Sequence, residues 1–249
     1  MLTGQNSLNV DSAADKVSIV IVTYNAAATL QVCLDSIYTQ AYPNIEIVVM
    51  DAVSTDGTVD ILKANDSKIA LWRSEKDGGI YDAMNKALDY ITGEWVYFLG
   101  ADDVLFADYS KLAYQLADTN TIYYANVLLR NKKYRGKVTS YQHAKGTICH
   151  QAMIYPKHVF DKYRFITKYR LSADHVLNMR CWKDKTLHFH YIDLIVANFN
   201  HTGASSNPDK VFIADQAALI RENHGFITWL RFAIRQYRNR KKVTPESYN

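Results

Sequence analysis

The chain has no apolar run of about 18 residues or more, so no segment reads as a membrane-spanning helix. It also lacks the marks of a secretory leader. Met1 to Lys16 is polar, with Asp11 and Asp15 where a basic start and an apolar stretch would stand, which predicts a frayed, cytosolic N-terminus over residues 1–15. Three cysteines occur, Cys33, Cys149 and Cys181, widely spaced and never as C-x-x-C. That spacing argues against a zinc knuckle or a disulfide framework and predicts reduced, partly buried thiols. No G-x-G-x-x-G follows the first strand-like run, which argues against a dinucleotide oxidoreductase. The loop there, Tyr24-Asn25-Ala26-Ala27-Ala28, also lacks the glycines and basic residue expected of a nucleotidyltransferase. A net excess of basic charge is absent outside the C-terminal stretch. The net charge is +4, yet seven Lys or Arg and one acid fall between Arg221 and Lys242, so the remainder is net acidic. A nucleic-acid enzyme would spread its cations over a face, and no nucleic-acid partner is expected.

What is present is enough apolar sequence, 48% of 249 residues, to bury a sizeable core. The run from Lys16 to Thr23 is dominated by β-branched residues, as in a strand covered on both faces. Leu30, Cys33, Leu34 and Ile37 then recur at helical spacing. Strand-like and helical segments continue to alternate: Ile45–Met50, Thr58–Ala64, Ile69–Arg73, Ile80–Ile91 and Trp95–Leu99. This is the βαβ pattern of a doubly wound α/β sheet, whose ligands sit beyond the carboxyl ends of the strands. Those ends read Thr23-Tyr24-Asn25, Asp51 and Asp102-Asp103. The second half is less regular. Thr121–Leu129 and Ile192–Phe199 are expected strands, Lys132 to Gly136 a turn into another, and Val159–Tyr163 and Ala173–Lys183 helices. No repeat or low-complexity linker divides the chain.

Two adjacent carboxylates at a strand end are costly to hold together without a cation, and oxygen ligands suit Mg²⁺ or Mn²⁺. The alternative is that Asp102 caps a turn and Asp103 is solvated. Three segments extend the pattern: Val17–Asn25, Ile47–Thr58 and Trp95–Asp103. In this order they resemble the inverting glycosyltransferases of family 2, which have the GT-A fold, a Rossmann-like, mostly parallel sheet flanked by helices. Ser74–Lys86 resembles small bacterial members that build O-antigen or exopolysaccharide repeat units. The resemblance implies a catalytic domain over 16–206, with a donor half over 16–105 and an acceptor half over 106–206. An α-helical basic extension follows over 207–249.

The resemblance also implies roles. Thr23, Tyr24, Asn25 and Asp51 match positions at the nucleotide base, with Tyr24 stacking and Asp51 accepting a uracil N–H. Asp77 and Asp82 match the donor loop and helix. Asp102 matches a ribose contact and Asp103 the metal ligand. The family's usual wording carries an acid two residues earlier, where this chain has Gly100-Ala101. The second motif has Val53 where a glycine is usual. Leu171–Leu177 resembles the late acidic motif, making Asp174 the base, although Asp174 could instead cap a helix. Cys149-His150-Gln151 and Phe199–Ser206 resemble segments facing the acceptor or the phosphates, with His150, Gln151, His201 and Ser205 as candidates.

The expected reaction moves a hexose from a UDP-sugar, glucose before galactose, with Mn²⁺ or Mg²⁺. The acceptor is an N-acetylhexosamine on a polyprenyl diphosphate, and the product is a β-linkage. The alternatives are a nucleotidyltransferase and a non-catalytic sugar-nucleotide-binding module. Phe226, Ile227, Leu230, Ala233, Ile234 and Tyr237 recur at helical spacing among arginines, the pattern of a helix on an anionic membrane surface. A peripheral location on the inner face of the bacterial inner membrane follows. The other reading is a helix packed on the domain with a solvated basic face.

Overall fold

The computed structural model describes residues 2–5, 14–200 and 208–242, with side chains over 14–200 and 208–239. Its centre is a parallel sheet of β2 (Val17–Thr23), β3 (Ile45–Asp51), β4 (Leu71–Ser74) and β5 (Trp95–Gly100), ordered β4-β3-β2-β5. The β-branched runs fold this way because both sheet faces are covered, and β2 and β3 are buried along nearly their whole length. The crossovers are α1 (Leu30–Tyr38), α2 (Thr58–Ala64) and α3 (Ile80–Ala87). Leu30, Cys33, Leu34 and Ile37 of α1 are buried, as their spacing requires.

The second half departs from a doubly wound sheet. After the short β6 (Val104–Leu105) and α4 (Asp108–Ala113) come β7 (Thr121–Leu129), β8 (Lys132–Tyr134), α5 (Ser140–Lys145), β9 (Met153–Pro156), α6 (Val159–Lys162), α7 (Ala173–Lys183) and β10 (His188–Phe199). β9 lies antiparallel to both β5 and β7, so it joins the two halves into one mixed sheet. β10 then pairs parallel with β7. The four residues of β9 are all buried and show no alternation, which is why periodicity did not reveal them. The N-terminus also differs from the expected frayed tail. Leu2–Gln5 form β1, antiparallel to β4, which covers the backbone groups that an edge strand would leave unpaired.

The helical extension is α8 (Lys210–Lys242), broken at Gly225, whose φ of 81° interrupts the helix. No helix among the described residues is long and apolar enough to cross a membrane. α8 packs on α7 and α5 through a histidine cluster. His143 is fully buried and stacks on Trp182 with ring centroids 4.5 Å apart. Its Nδ1 meets Nε2 of His224 at 3.3 Å, and its backbone carbonyl meets Nε2 of His175 at 2.8 Å. Ser140 Oγ lies 3.0 Å from Nδ1 of His224. Burial, then the facing His175, pushes His224 down to about 4. Burial also lowers His143 and His175, and the nearby Arg135 charge adds to both.

The unfolded state therefore binds more protons than the folded one between the ordinary histidine value of 6.5 and about 4. The cluster's contribution is present above that window and is lost as pH falls through it. The melting temperature of the full chain should drop by several degrees across it, and His224→Asn should flatten this component. Identical pH profiles for variant and wild type would refute the coupling.

Candidate active site

The register of the parallel strands places Ser74, Asp51 and Thr23 in one row at the carboxyl ends, with Gly100 beside Val22. Beyond that row lies a cleft of about 770 Å³, lined by Thr23, Tyr24, Asn25, Ala52, the loop from Lys76 to Ile80, Asp102, His150, Gln151, Arg170 and Asn200, among others.

At the β2 end, Tyr24 stands 66% exposed at the lip. Asn25 turns the chain with φ 50°, accepts from Thr55 N–H at 2.9 Å, and donates its own N–H to Ser54 Oγ at 2.8 Å. Asp51 does not line the cleft. Its carboxylate is 1% exposed and accepts from Ser54 N–H at 3.0 Å, from the Ser74 hydroxyl at 2.5 Å, and from the Ser54 hydroxyl. These bonds tie Asp51 to the loop after β3 and to the end of β4. Val53 follows with φ 59°. A β-branched side chain is strained there, which explains why glycine suits the position.

The two carboxylates of the acidic pair differ in surroundings. Asp103 is 1% exposed and turned inward. Its Oδ2 accepts from Gly100 N–H at 3.1 Å and Gln151 Nε2 at 2.8 Å, and its Oδ1 from Asn200 N–H at 2.8 Å. Those donors occupy the carboxylate that was expected to meet a metal. Asp102 is the member that lines the cleft. Among the described residues no Lys or Arg pairs with it. Burial raises the Asp102 carboxyl, and burial together with the Asp102 charge raises Asp103 to about 6, while its hydrogen bonds oppose the rise. The same packing accounts for Gly100. A Cβ there would stand 2.5 Å from Asp103 Oδ2 and 3.0 Å from Asp102 Oδ1, leaving no room for the acid usual at that position.

Metal fit follows from this arrangement. One open carboxylate, Asp102, suits an octahedral Mg²⁺ or Mn²⁺ that completes its shell with donor phosphates and water. Among the described residues no cluster of three or more His, Cys, Asp or Glu forms an all-protein cage. Three polar atoms of the cleft residues are buried without a hydrogen-bond partner, Thr23 Oγ1, His150 Nδ1 and Gln151 Oε1. Such atoms are costly unless a ligand meets them.

The loop before α3 is braced from within. Asp77 accepts from Gly79 N–H at 2.8 Å and Asp82 from Gly78 N–H at 2.9 Å. Lys86 pairs with Glu75 at 3.1 Å and Asp82 at 3.5 Å. Asn85 spends both ends of its amide on the Phe165 backbone, at 2.9 and 3.0 Å, so its role is structural. Asp77 lines the cleft; Asp82 does not. Two cations that the sequence reading passed over do line it, Lys76 and Arg170, the latter 3.4 Å from the Gly78 carbonyl. Lys76 lay within the quoted Ser74–Lys86 segment, whereas Arg170, just before the late acidic motif, carried no separate signal.

Asp174 sits in the first turn of α7, whose cap position is Ser172, so it is not the helix cap. Oδ1 accepts from the Tyr81 hydroxyl at 3.0 Å and from His175 N–H at 2.7 Å. Oδ2 stands 3.5 Å from His150 Nδ1, longer than an ordinary hydrogen bond. Burial opposes the charge, but His150, His175 and Tyr81 together hold the carboxyl below its ordinary value, so it is ionised at neutral pH. Asp174 is 6% exposed, and it is His150 that reaches the cleft wall. His201 and Ser205 lie outside the described residues.

The model of glycosyl transferase family 2 matches residues 18–189. The chain belongs to that family. It is 36% identical over 215 residues to a PGL/p-HBAD biosynthesis glycosyltransferase of Mycobacterium bovis, covering 81% of this chain and 84% of the relative. It is 33% identical over 130 residues, about half of each chain, to an Escherichia coli protein, WfgD. That relative is described as a UDP-Glc:alpha-D-GlcNAc-diphosphoundecaprenol beta-1,3-glucosyltransferase. The S. aureus TarS 1–349 structure superposes with a TM-score of 0.65 at 21% identity, covering 84% of this chain and 66% of that one. A mannosyltransferase from Pyrobaculum calidifontis, solved with GDP-Man and Mn²⁺, gives 0.61 at 19% identity, covering 90% and 65%. This glycosyltransferase therefore has the expected GT-A fold and is a transferase, which removes the nucleotidyltransferase and binding-module alternatives.

The division of the acidic pair is testable. Asp103→Ala strands three donors and should cost about 2–4 kcal/mol of stability in denaturant unfolding. Asp102→Ala should leave stability within about 0.5 kcal/mol while removing the thermal shift produced by UDP with Mn²⁺. The opposite pattern would restore the expected assignment.

Proposed function

We propose that this family 2 enzyme is an inverting hexosyltransferase that uses a UDP-sugar, with glucose the favoured donor and galactose next. The observation that supports it is the composition of the cleft. One open carboxylate, Asp102, shares it with the cations Lys76 and Arg170 and with His150 backed by Asp174. Tyr24 stacks on the base and Thr23 contacts it, while Asp51 keeps Ser54 and Ser74 in place beneath. Lys76 and Arg170 meet the diphosphate. Asp102, with the donor phosphates, would hold Mn²⁺ or Mg²⁺, which when bound would offset charge on the leaving group.

A sugar hydroxyl is too weak an acid to attack unaided at neutral pH. In the proposed step the acceptor oxygen bonds to the anomeric carbon as the bond from that carbon to the diphosphate oxygen breaks. The hydroxyl proton passes to the His150–Asp174 pair, with Asp174 the base and His150 at its opening to the cleft. Tyr81 orients the carboxylate by donating to Oδ1. One displacement inverts the centre, so an α-linked donor gives a β-glycoside.

The WfgD description supports an N-acetylhexosamine on a polyprenyl diphosphate as acceptor, while the M. bovis relative widens the acceptor panel. A lipid-linked acceptor places the enzyme, through α8, against the anionic inner face of the bacterial inner membrane.

A screen of UDP-sugars with Mn²⁺ against GlcNAc- and GalNAc-diphosphate-lipid analogues should give transfer from UDP-glucose. Asp174→Asn should lower kcat by about 10²–10⁴-fold with little change in KM for the donor. Unimpaired turnover by Asp174→Asn would remove it as the base, and full activity in excess EDTA would remove the metal.

A further inference from the structure

The amphipathic stripe of α8 is not absorbed by the domain. Ile227 is 84% exposed, Phe226 58%, Ile234 46% and Leu230 42%, whereas on another face of the same helix Phe232 is 7% exposed. Helix packing thus takes one face of α8 and leaves a contiguous apolar face in water, which a solvated basic helix has no reason to carry. Ile227, Leu230 and Ile234 line a groove of about 640 Å³ together with Tyr141 of α5 and Arg231, Arg235 and Arg238.

A second pocket of about 360 Å³ adjoins it, sharing Arg235 and Asn239. Its charged walls are all cationic: Arg135, Lys145 and Arg235. Arg135 is not a tail residue. It is fixed by donating to the carbonyls of Gly146, Thr147 and Gln142, so its charge is built into the loop and not free to swing away. Lys145 and Arg231 both stand over the Tyr141 ring, at 4.8 and 4.0 Å from its centroid. Among the described residues none of these four cations pairs with a carboxylate. Burial, followed by the charges of Arg235, Arg135 and Arg231, lowers the Lys145 ammonium. Like charges held together without counter-ions are stabilised by an incoming anion.

A basic pocket opening into an apolar groove matches an amphiphile with an anionic head. The groove lies along an open helix face and continues into the exposed Phe226, so it suits chains that remain part of a bilayer. A channel enclosing one long isoprenoid would have walls on more than one side. We propose that the α5–α8 pocket binds the phosphate of an anionic phospholipid, whose acyl chains lie along the apolar face of α8. This names a site for the membrane contact proposed above and rests on that reading for its placement at a bilayer. It adds two residues from outside the tail, Arg135 and Lys145, that a purely unstructured basic tail would not need.

Co-sedimentation of the full chain with vesicles of phosphatidylcholine, with and without phosphatidylglycerol, tests it. Binding should require phosphatidylglycerol. Lys145→Glu with Arg235→Glu should weaken it by about tenfold or more. Lys145→Arg with Arg235→Lys should retain it, which separates charge from fold. Transfer to a water-soluble short-chain acceptor should be unchanged in both variants. Wild-type binding by the charge-reversed variant, equal binding to neutral vesicles, or saturation of the pocket by inorganic phosphate without vesicle preference would each overturn the proposal. So would loss of soluble-acceptor transfer together with vesicle binding. Retained phosphatidylglycerol binding in an enzyme that glycosylates no lipid-linked acceptor would support the site and sink the substrate reading instead.

Discussion

The carboxylate of Asp103 is the tie on which the active cleft depends. It draws together the end of β5 through Gly100, the segment before β9 through Gln151, and the chain after β10 through Asn200. The first belongs to the parallel part of the sheet and the other two to the later, mixed part. A buried charge is tolerated only when its hydrogen bonds are made, and here three donors from three segments make them. Packing around that charge fixes its neighbours. Gly100 has no space for a side chain, and Asp102, one residue along, is left facing the cleft. The two halves could not be offset without stranding the carboxylate.

A second chain of contacts sets the Asp174 carboxylate. Phe98 of β5 packs edge-on against Phe160 and Phe165, with centroids 5.6 and 5.2 Å apart, and Phe165 packs on Tyr81 at 5.2 Å. Asn85 locks the Phe165 backbone at both its N–H and its carbonyl. Tyr81, held by these aromatics, then donates to Asp174. The position of the Asp174 carboxylate is thus inherited from the core around β5, through Tyr81 on α3. This makes the distance between Asp174 and the end of β5 a property of packing and not of a flexible loop, which is what the proposed displacement would need.

Residues 16–105 were legible in the sequence because their strands are largely apolar runs, β-branched in β2 and β3, separated by helices of ordinary spacing. The acceptor half was less so. β9 is four buried residues whose strand character comes from its neighbours β5 and β7, and no periodicity marks it. The acidic pair was found by its place at a strand end, but its division was not. Which of two adjacent carboxylates turns inward depends on Gln151 and Asn200, 48 and 97 residues away. Asp51 likewise looked like a direct contact, and only Ser54 and Ser74 reveal that its oxygens are already engaged. Val53 shows the reverse case. The sequence exposed an unusual residue, and the positive φ supplied the reason it is unusual.

The charge distribution links the two surfaces of the molecule. The cleft is lined by cations and carboxylates together, Lys76 and Arg170 with Asp77 and Asp102, so the proposed anionic nucleotide would be bound by local pairing without a large basic field. The field lies instead at α8 and α5, where the cations have no acidic partners among the described residues and stand beside an exposed apolar stripe. A uniform basic surface would draw nucleotide and membrane to the same places and set them in competition. Separating them allows the domain to be held at an anionic bilayer by one face while the cleft selects its donor by geometry. The histidine cluster joins α8 to α5 and α7, so the helix that carries this field is fixed to the same body that carries Asp174. An amphiphilic acceptor held at the bilayer would then meet a cleft whose orientation to that surface is set by the fold.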